Sequence, residues 1–240
     1  MQDVHTTTPA EPPGRAAVAA ANVFLSPSRA FEEVRRGAGW WLPFLILVIV
    51  ALVAAALSQP LQTAIAESRM AQLSEAQREA AAAQMRIGTI FGFVFAPIQV
   101  AIGLLLSSLV FLAVLRPSGH ELSFKQIFTG QCYAGLVPSG IGGLVMGLLI
   151  QMKARSSGIT GMADMPRLGL DLLGGEGFVR GLLSAFNLFA VWWLVVLVYG
   201  YATFVKRSPR QMAAPVLIAG VLWLLLGGAL GGIGFAFASR

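Results

Sequence analysis

Charged side chains are scarce in this chain. Only 12% of its 240 residues are Asp, Glu, Lys or Arg, against 56% that are apolar, and soluble domains carry about 25% charge. A water-soluble globule could not cover itself with so little polar surface. Cysteine is scarcer still. Cys132 stands alone, which excludes an internal disulfide framework and any multi-cysteine metal site. The two histidines, His5 and His120, lie far apart and form no zinc constellation. A basic block is also missing. The net charge of +6 comes from arginines scattered beside apolar runs, so anionic lipid head groups are the expected partner and nucleic acid is not. The start of the chain lacks the basic segment of a secretory signal peptide.

What fills the chain instead is long apolar runs, at about 41–58, 88–115, 128–152, 181–204 and 213–238, and none contains Asp, Glu, Lys, Arg or His. A charge at the bilayer centre costs about 2.5–3.5 kcal/mol even on insertion scales, and about 20 apolar residues suffice to cross. These runs predict an all-α integral membrane protein, a five-span helical bundle over residues 40–238. Residues 1–22 are polar, with Pro9, Pro12, Pro13 and Gly14, and read as a disordered tail. Residues 23–39 read as a short amphipathic interfacial helix. Ser26 is placed to cap it, with Pro27 at its first position. Pro27, Ala30, Phe31 and Val34 then share one face, and Arg29, Glu32, Glu33 and Arg36 the other. Gly37 and Gly39 end it, and Trp40 and Trp41 follow at the depth that indoles prefer. On this reading Phe31 and Val34 lie in the head-group boundary, while Arg35 and Arg36 meet anionic lipid. The other expectation is that the helix docks on the bundle itself, with Glu32 and Glu33 facing Lys206, Arg207 or Arg210.

Between runs one and two, Ser74 and Gln77 make a capping-box pattern, so a helix is expected to start at Glu75 and run on into span two. Residues 153–180 hold six glycines and Pro166 and read as a mobile loop with one short interfacial helix. Lysine and arginine density places the N-terminus inside and the C-terminus outside an inner membrane. The short segments 116–127 and 205–212 carry Arg116, Lys125, Lys206, Arg207 and Arg210. Tyr133, Tyr199 and Tyr201 fall toward the same side. SFKQI at 123–127 and SPRQM at 208–212 echo each other, either as marks of duplicated hairpins or as convergent helix-start chemistry.

Reactive constellations do not emerge. Glu32, Glu33 and Arg36 approach the Glu-Glu-x-x-x-Arg element of CAAX-type intramembrane proteases, but the spacing fails and no span supplies a histidine. PSGIGG at 138–143 resembles the rhomboid Gly-x-Ser-Gly only superficially, again without a histidine base. Asp164, Asp171 and Glu176 read as a solvated loop. No cofactor and no metal is expected. The spans do contain small residues at helical spacing: Gly135, Ser139, Gly143 and Gly147 in the third, Gly227/Gly231 with Gly228/Gly232 in the fifth. Such rows let helix backbones approach within a bundle or between copies. Pro97 and Pro138 are expected to kink their spans. Gln99, Gln131 and Asn187, with Ser184, are the candidates for a polar pocket.

The combination of SPSRAFEEVRRGAGWWLPFLIL, SEAQREAAAAQM, CYAGLVP and FNLFAVWWLVVLVYGYATFVKRSPRQMAAPVLIAGVLW resembles the bacterial branch of the Yip1 family over most of residues 24–238. The resemblance implies a five-span bundle with a cytoplasmic N-terminus. Eukaryotic members act in vesicle trafficking and contact prenylated Rab-type GTPases. This chain has Trp40-Trp41-Leu42-Pro43 where they carry Asp-Leu-x-Gly-Pro, so GTPase binding is not carried over. The expected function is that of a non-enzymatic multi-pass protein that organises membrane or recruits a membrane-protein partner or a second copy of itself. The alternative is a transporter or channel-like protein for a small neutral solute or lipid.

Overall fold

The computed structural model of the protein describes residues 14–71, 73–160 and 164–238. These form an all-α membrane protein with four helices long and apolar enough to cross a bilayer, or five spans if one bent pair is counted as a span. The bent pair is α3 (Trp41–Leu57) and α4 (Gln59–Met70), which meet at 46°. At the bend, the Ser58 hydroxyl donates to the Ala54 carbonyl at 2.8 Å. Next comes α5 (Glu75–Leu115), 41 residues long and so roughly 60 Å, about twice the hydrocarbon core. Its membrane-crossing part is Phe91–Leu115. Pro97 lies inside α5 without ending it.

The third span, Phe124–Ser156, is built from α6 (Phe124–Gly135), a π-helical segment (Leu136–Gly142) and α7 (Gly143–Ser156). Pro138 sits in the π segment, whose wider turns absorb the missing donor of the proline without breaking the span. The fourth span is α9 (Leu188–Val205). This corrects the expectation of a span from 181, because residues 177–184 form a separate helix, α8 (Gly177–Ser184). The break is made by Asn187. Its Oδ1 accepts from Ala190 N–H at 3.0 Å and its Nδ2 donates to the Ser184 carbonyl at 3.0 Å, capping one helix against the end of the other. Helix α10 (Pro209–Ala238) forms the last span.

The likeness of SFKQI and SPRQM has a local cause. Ser123 N–H donates to Gln126 Oε1 at 2.9 Å and Ser208 N–H to Gln211 Oε1 at 3.2 Å, and Ser74 N–H does the same with Gln77 at 3.1 Å. Ser-x-x-Gln starts three helices, so the echo follows from capping chemistry.

Residues 15–22 are the second correction. They form α1 (Arg15–Asn22), with Ala16, Ala19 and Ala20 buried. Five alanines in eight residues favour the helix, and their small side chains let α1 lie close against α2 (Pro27–Arg35). Residues 1–13, the rest of the expected tail, lie outside the described residues. Ser26 precedes α2, but its hydroxyl makes no cap bond. Its N–H instead donates to the Asn22 carbonyl at 2.7 Å, closing the α1–α2 turn.

Small residues set how closely the spans pack. A side chain at Gly147 would stand 2.8 Å from Leu57 Cβ, one at Gly135 3.4 Å from Leu47, and one at Gly143 3.8 Å from Ala54. All three neighbours belong to α3. In a straight α-helix a row of every fourth residue drifts about 40° per step, and the wider π turns wind Gly147 back toward the face of Gly135. Ser139, inside the π segment, is exposed. In α10 the close row is Gly228 and Gly232 rather than Gly227 and Gly231. A side chain at Gly228 would meet the Leu182 carbonyl at 2.9 Å and one at Gly232 the Phe178 carbonyl at 2.6 Å, both on α8, whereas Gly227 has nothing within 4 Å and Gly231 only the Gly181 carbonyl at 3.9 Å.

Candidate functional site

Two regions concentrate polar chemistry, one at each end of the bundle. The first is the face that carries α1, α2 and the links α5–α6 and α9–α10. Here α2 is docked on the bundle. Phe31 is fully buried, with its ring against the bare backbone of Gly200 and edge-on to Phe204 at 5.3 Å. Beneath it, a side chain at Gly130 would meet the Tyr201 ring at 2.7 Å. Val34 is partly buried on the same core. The placement of Phe31 in a lipid boundary is therefore corrected, because two glycines on α6 and α9 open a slot that the ring fills. Tyr133 reinforces the docking by donating its hydroxyl to the Gly39 carbonyl at 2.9 Å. Trp40 and Trp41 remain partly exposed at the start of α3, and Trp40 packs edge-on to Phe44 and Phe128.

The polar side of α2 is internally paired. Arg35 meets Glu32 at 2.7 Å and Arg36 meets Glu33 at 2.9 Å, while Arg15 donates to the Arg36 carbonyl at 2.7 Å and joins α1 to the end of α2. The Arg35 guanidinium holds the Glu32 carboxyl below its usual value, and Arg36 and Lys206 pull the same way. Lys206 belongs to the α9–α10 link, so the electrostatics of the docked helix reach the bundle. Counted over its described segments, this face carries nine basic residues (Arg15, Arg29, Arg35, Arg36, Arg116, Lys125, Lys206, Arg207, Arg210) against three acidic ones (Glu32, Glu33, Glu121). The opposite face carries seven against six within the described residues. An apolar hollow of about 440 Å³ lies below α1, lined by Ala20, Phe24, Leu42, Ile46, Leu136 and Ile141 among others.

The second region is at the other end, where the chain between α7 and α9 folds over the π segment. A cavity of about 220 Å³ lies between Pro138, Gly142, Gly143 and Met146 on one side and Met165, Pro166, Leu168, Asp171, Arg180, Ser184, Asn187 and Phe189 on the other. Asp171 is 3% exposed and Arg180 5%. Asp171 sits in a 3-10 turn (Leu170–Leu173). Its Oδ1 accepts from Gly169 N–H at 2.9 Å, and its carbonyl accepts from Arg167 at 3.1 Å. Arg180 donates to the Met165 carbonyl at 2.6 Å. Burial and the nearby Arg167 lower the Arg180 pKa from its usual value, while Asp171 and Asp164 oppose the shift; the group stays charged. Leu170 N–H donates to the Phe186 carbonyl at 2.9 Å, which ties this loop to the α8–α9 break. A side chain at Gly169 would meet that same carbonyl at 2.6 Å, so only glycine fits there.

Gln99, Gln131 and Asn187 do not come together. Gln99 is exposed on α5, and Gln131 is 1% exposed beside Tyr201 near the face that carries α2. Asn187 alone of the three lines the 220 Å³ cavity. Sequence reasoning missed Arg180 and read Asp171 as part of a solvated loop, whereas it is 3% exposed. Arg180 had a legible signal, since it is the one charge in GFVRGLLS. Asp171 had none, because its burial comes from a fold-back of the loop that no periodicity announces. Asp164 is engaged elsewhere: Oδ2 accepts from the Thr160 hydroxyl at 2.7 Å and N–H at 2.9 Å, and Lys153 stands 3.3 Å from Oδ1.

Comparison with known proteins places this architecture. The Yip1 domain pattern matches residues 21–236. Membrane protein YknW of Bacillus subtilis (strain 168) is 26% identical over 182 residues, covering 74% of each chain. No solved structure matches.

Proposed function

This chain belongs to the Yip1 domain family, and from that premise we propose that it is a non-enzymatic membrane adaptor whose basic face recruits a partner at the cytoplasmic side of an inner membrane. The observation that carries this reading is the docked α1–α2 hairpin. Phe31 fixes the hairpin to α9, so the hairpin and the α9–α10 link present one surface with seven basic residues (Arg15, Arg29, Arg35, Arg36, Lys206, Arg207 and Arg210) against two acidic (Glu32 and Glu33). Rigid presentation lowers the ordering cost of association, and a field of one sign speeds encounter with an acidic partner. Arg29, Arg207 and Arg210 are exposed on this surface and are the residues assigned to contact. The partner is an acidic segment of another membrane protein or of a protein held at an anionic leaflet. The described spans carry no charge between their ends, which weighs against proton-coupled transport.

Crosslinking and co-purification from native membranes test the reading. A recurrent stoichiometric protein should accompany the wild type and be lost from the triple variant Arg29→Glu, Arg207→Glu, Arg210→Glu, whose melting temperature should stay close to that of the wild type. A wild type that purifies without a protein but with a bound small molecule would replace the adaptor by the transporter reading.

A further inference from the structure

An amide inside a bilayer needs a hydrogen-bond partner, because hydrocarbon offers neither donor nor acceptor. Gln151 donates to the Leu57 carbonyl at 3.0 Å, Asn187 caps α9, and Gln131 is enclosed by protein. Gln99 differs from all three: it is exposed on α5 and makes no hydrogen bond among the described residues. Its depth follows from the packing. A side chain at Gly135 would stand 3.4 Å from Leu47 and 3.8 Å from Leu104, so Leu47 of α3 and Leu104 of α5 share a level. Leu47 lies six residues beyond Trp41, about 9 Å into the membrane. Gln99 lies five residues before Leu104, about 8 Å farther from the α2 end. The amide is thus about 17 Å from the level of Trp41, close to the middle of a hydrocarbon core about 30 Å thick. The side chain is too short to snorkel to either head-group layer from there.

The surface around Gln99 is open. Gly92 and Gly103, seven residues before it and four after, fall on the same face of α5, and a side chain at either would meet nothing within 4 Å. Gly147, Gly228 and Gly232 differ, since each makes room for a neighbouring helix of the bundle. An amide carries both a donor and an acceptor, so another Gln99 is its own complement. Every copy inserts the same way up, and a twofold axis along the membrane normal brings the two amides together at one depth. A lipid reaches that depth only with its acyl chains, which form no hydrogen bonds.

We propose that the Gln99 face of α5 is a homodimer contact, in which the amide of each copy donates Nε2–H to Oε1 of the other and Gly92 and Gly103 let the two α5 backbones approach. This contact is separate from the basic surface, which lies at the α2 end. The full-length protein, labelled with donor or acceptor fluorophores at Ser118→Cys on a Cys132→Ser background, tests it in phosphatidylethanolamine–phosphatidylglycerol vesicles at graded protein-to-lipid ratios. Energy transfer should rise to saturation with protein density. Gln99→Leu should move the midpoint to about tenfold higher density, and Gln99→Asn, which keeps the amide, should move it less. Gly103→Ile should disrupt the pair at an unchanged melting temperature, because its side chain enters open space in the monomer. Mild oxidation on the Cys132→Ser background reads the geometry. Leu105 and Leu106 are both exposed. Leu106→Cys, seven residues from Gln99 on the same face, should form an interchain disulfide, and Leu105→Cys, about 100° round the helix, should not. The triple variant Arg29→Glu, Arg207→Glu, Arg210→Glu should dimerise as the wild type does, so failure of the adaptor reading would leave this contact standing. A chain that stays monomeric at every density, a midpoint unmoved by Gln99→Leu, or equal crosslinking at positions 105 and 106 would overturn the proposal. Crosslinking of Leu106→Cys in native membranes to a different membrane protein, with none to a second copy, would overturn it too and assign the face to that protein.

Discussion

Phe31 was legible as the centre of an apolar helix face, but not its neighbour. An amphipathic helix specifies that one face is buried and is silent on whether lipid or protein covers it. The cover is supplied by Gly130 and Gly200, which are far away in sequence and look like ordinary span glycines. Phe31→Ala should therefore cost about 3–5 kcal/mol, as truncation of a buried ring does, and should release α2. A lowered melting temperature in detergent together with proteolytic cleavage near Gly37 would register both. An unchanged melting temperature would show that the ring contributes nothing to the bundle. Asp164 offers a second test at this scale. Hydrogen bonds from Thr160 and the charge of Lys153 lower its pKa from the usual carboxylate value to about 2. The folded value lies below the unfolded one of about 3.9, so the stabilisation is complete above the unfolded value and is lost as pH falls through the folded one. The Thr160 amide resonance should titrate with a midpoint of about 2, and a midpoint near an ordinary aspartate would contradict the assigned bonds.

Helices show where reading by pattern succeeds and where it stops. The Ser-x-x-Gln starts at Ser74, Ser123 and Ser208 are local chemistry and were visible, at least in part, before any coordinates. The apolar runs gave the spans for the same reason. Asn187 was misread as a polar residue within span four, because hydropathy does not distinguish a side chain inside a helix from one that caps a break between two. Small-residue rows were visible too, yet two adjacent rows on α10 differ only in which faces α8. That choice depends on the loop that folds α8 back, which no spacing encodes. The difference is testable. Gly228→Leu drives a side chain into the Leu182 carbonyl at 2.9 Å, whereas Gly227→Leu projects into open space. The first should lower the melting temperature by several degrees and the second should leave it nearly unchanged, since a packed membrane interface tolerates added bulk only where no backbone lies opposite. Equal effects would mean that the α8–α10 crossing does not hold the C-terminal span.

At the scale of the molecule, charge is distributed unevenly between the two ends. Nine basic residues against three acidic mark the end with α1 and α2, and seven against six the other within the described residues. Orientation follows lysine and arginine near span ends rather than net charge, and the links Arg116 to Lys125 and Lys206 to Arg210 are short, the condition under which that rule is strongest. Arg35 and Arg36 contribute less to partner binding than to this bias, because Glu32 and Glu33 already pair them in the folded state. The end with α2 should therefore be cytoplasmic. On a Cys132→Ser background, Ser118→Cys and Ser208→Cys lie on the α2 end, and Ser74→Cys and Ser157→Cys on the other; all four positions are exposed. A membrane-impermeant maleimide added to intact spheroplasts should label positions 74 and 157, and inverted vesicles should label 118 and 208. Arg35→Gln combined with Arg36→Gln should shift a minority of molecules to mixed labelling while Phe31→Ala should not, since the arginine pair acts on insertion and the phenylalanine on docking. Labelling of 118 and 208 in spheroplasts would invert the molecule, moving the basic face away from any cytoplasmic partner and the Arg180 cavity to the inner leaflet.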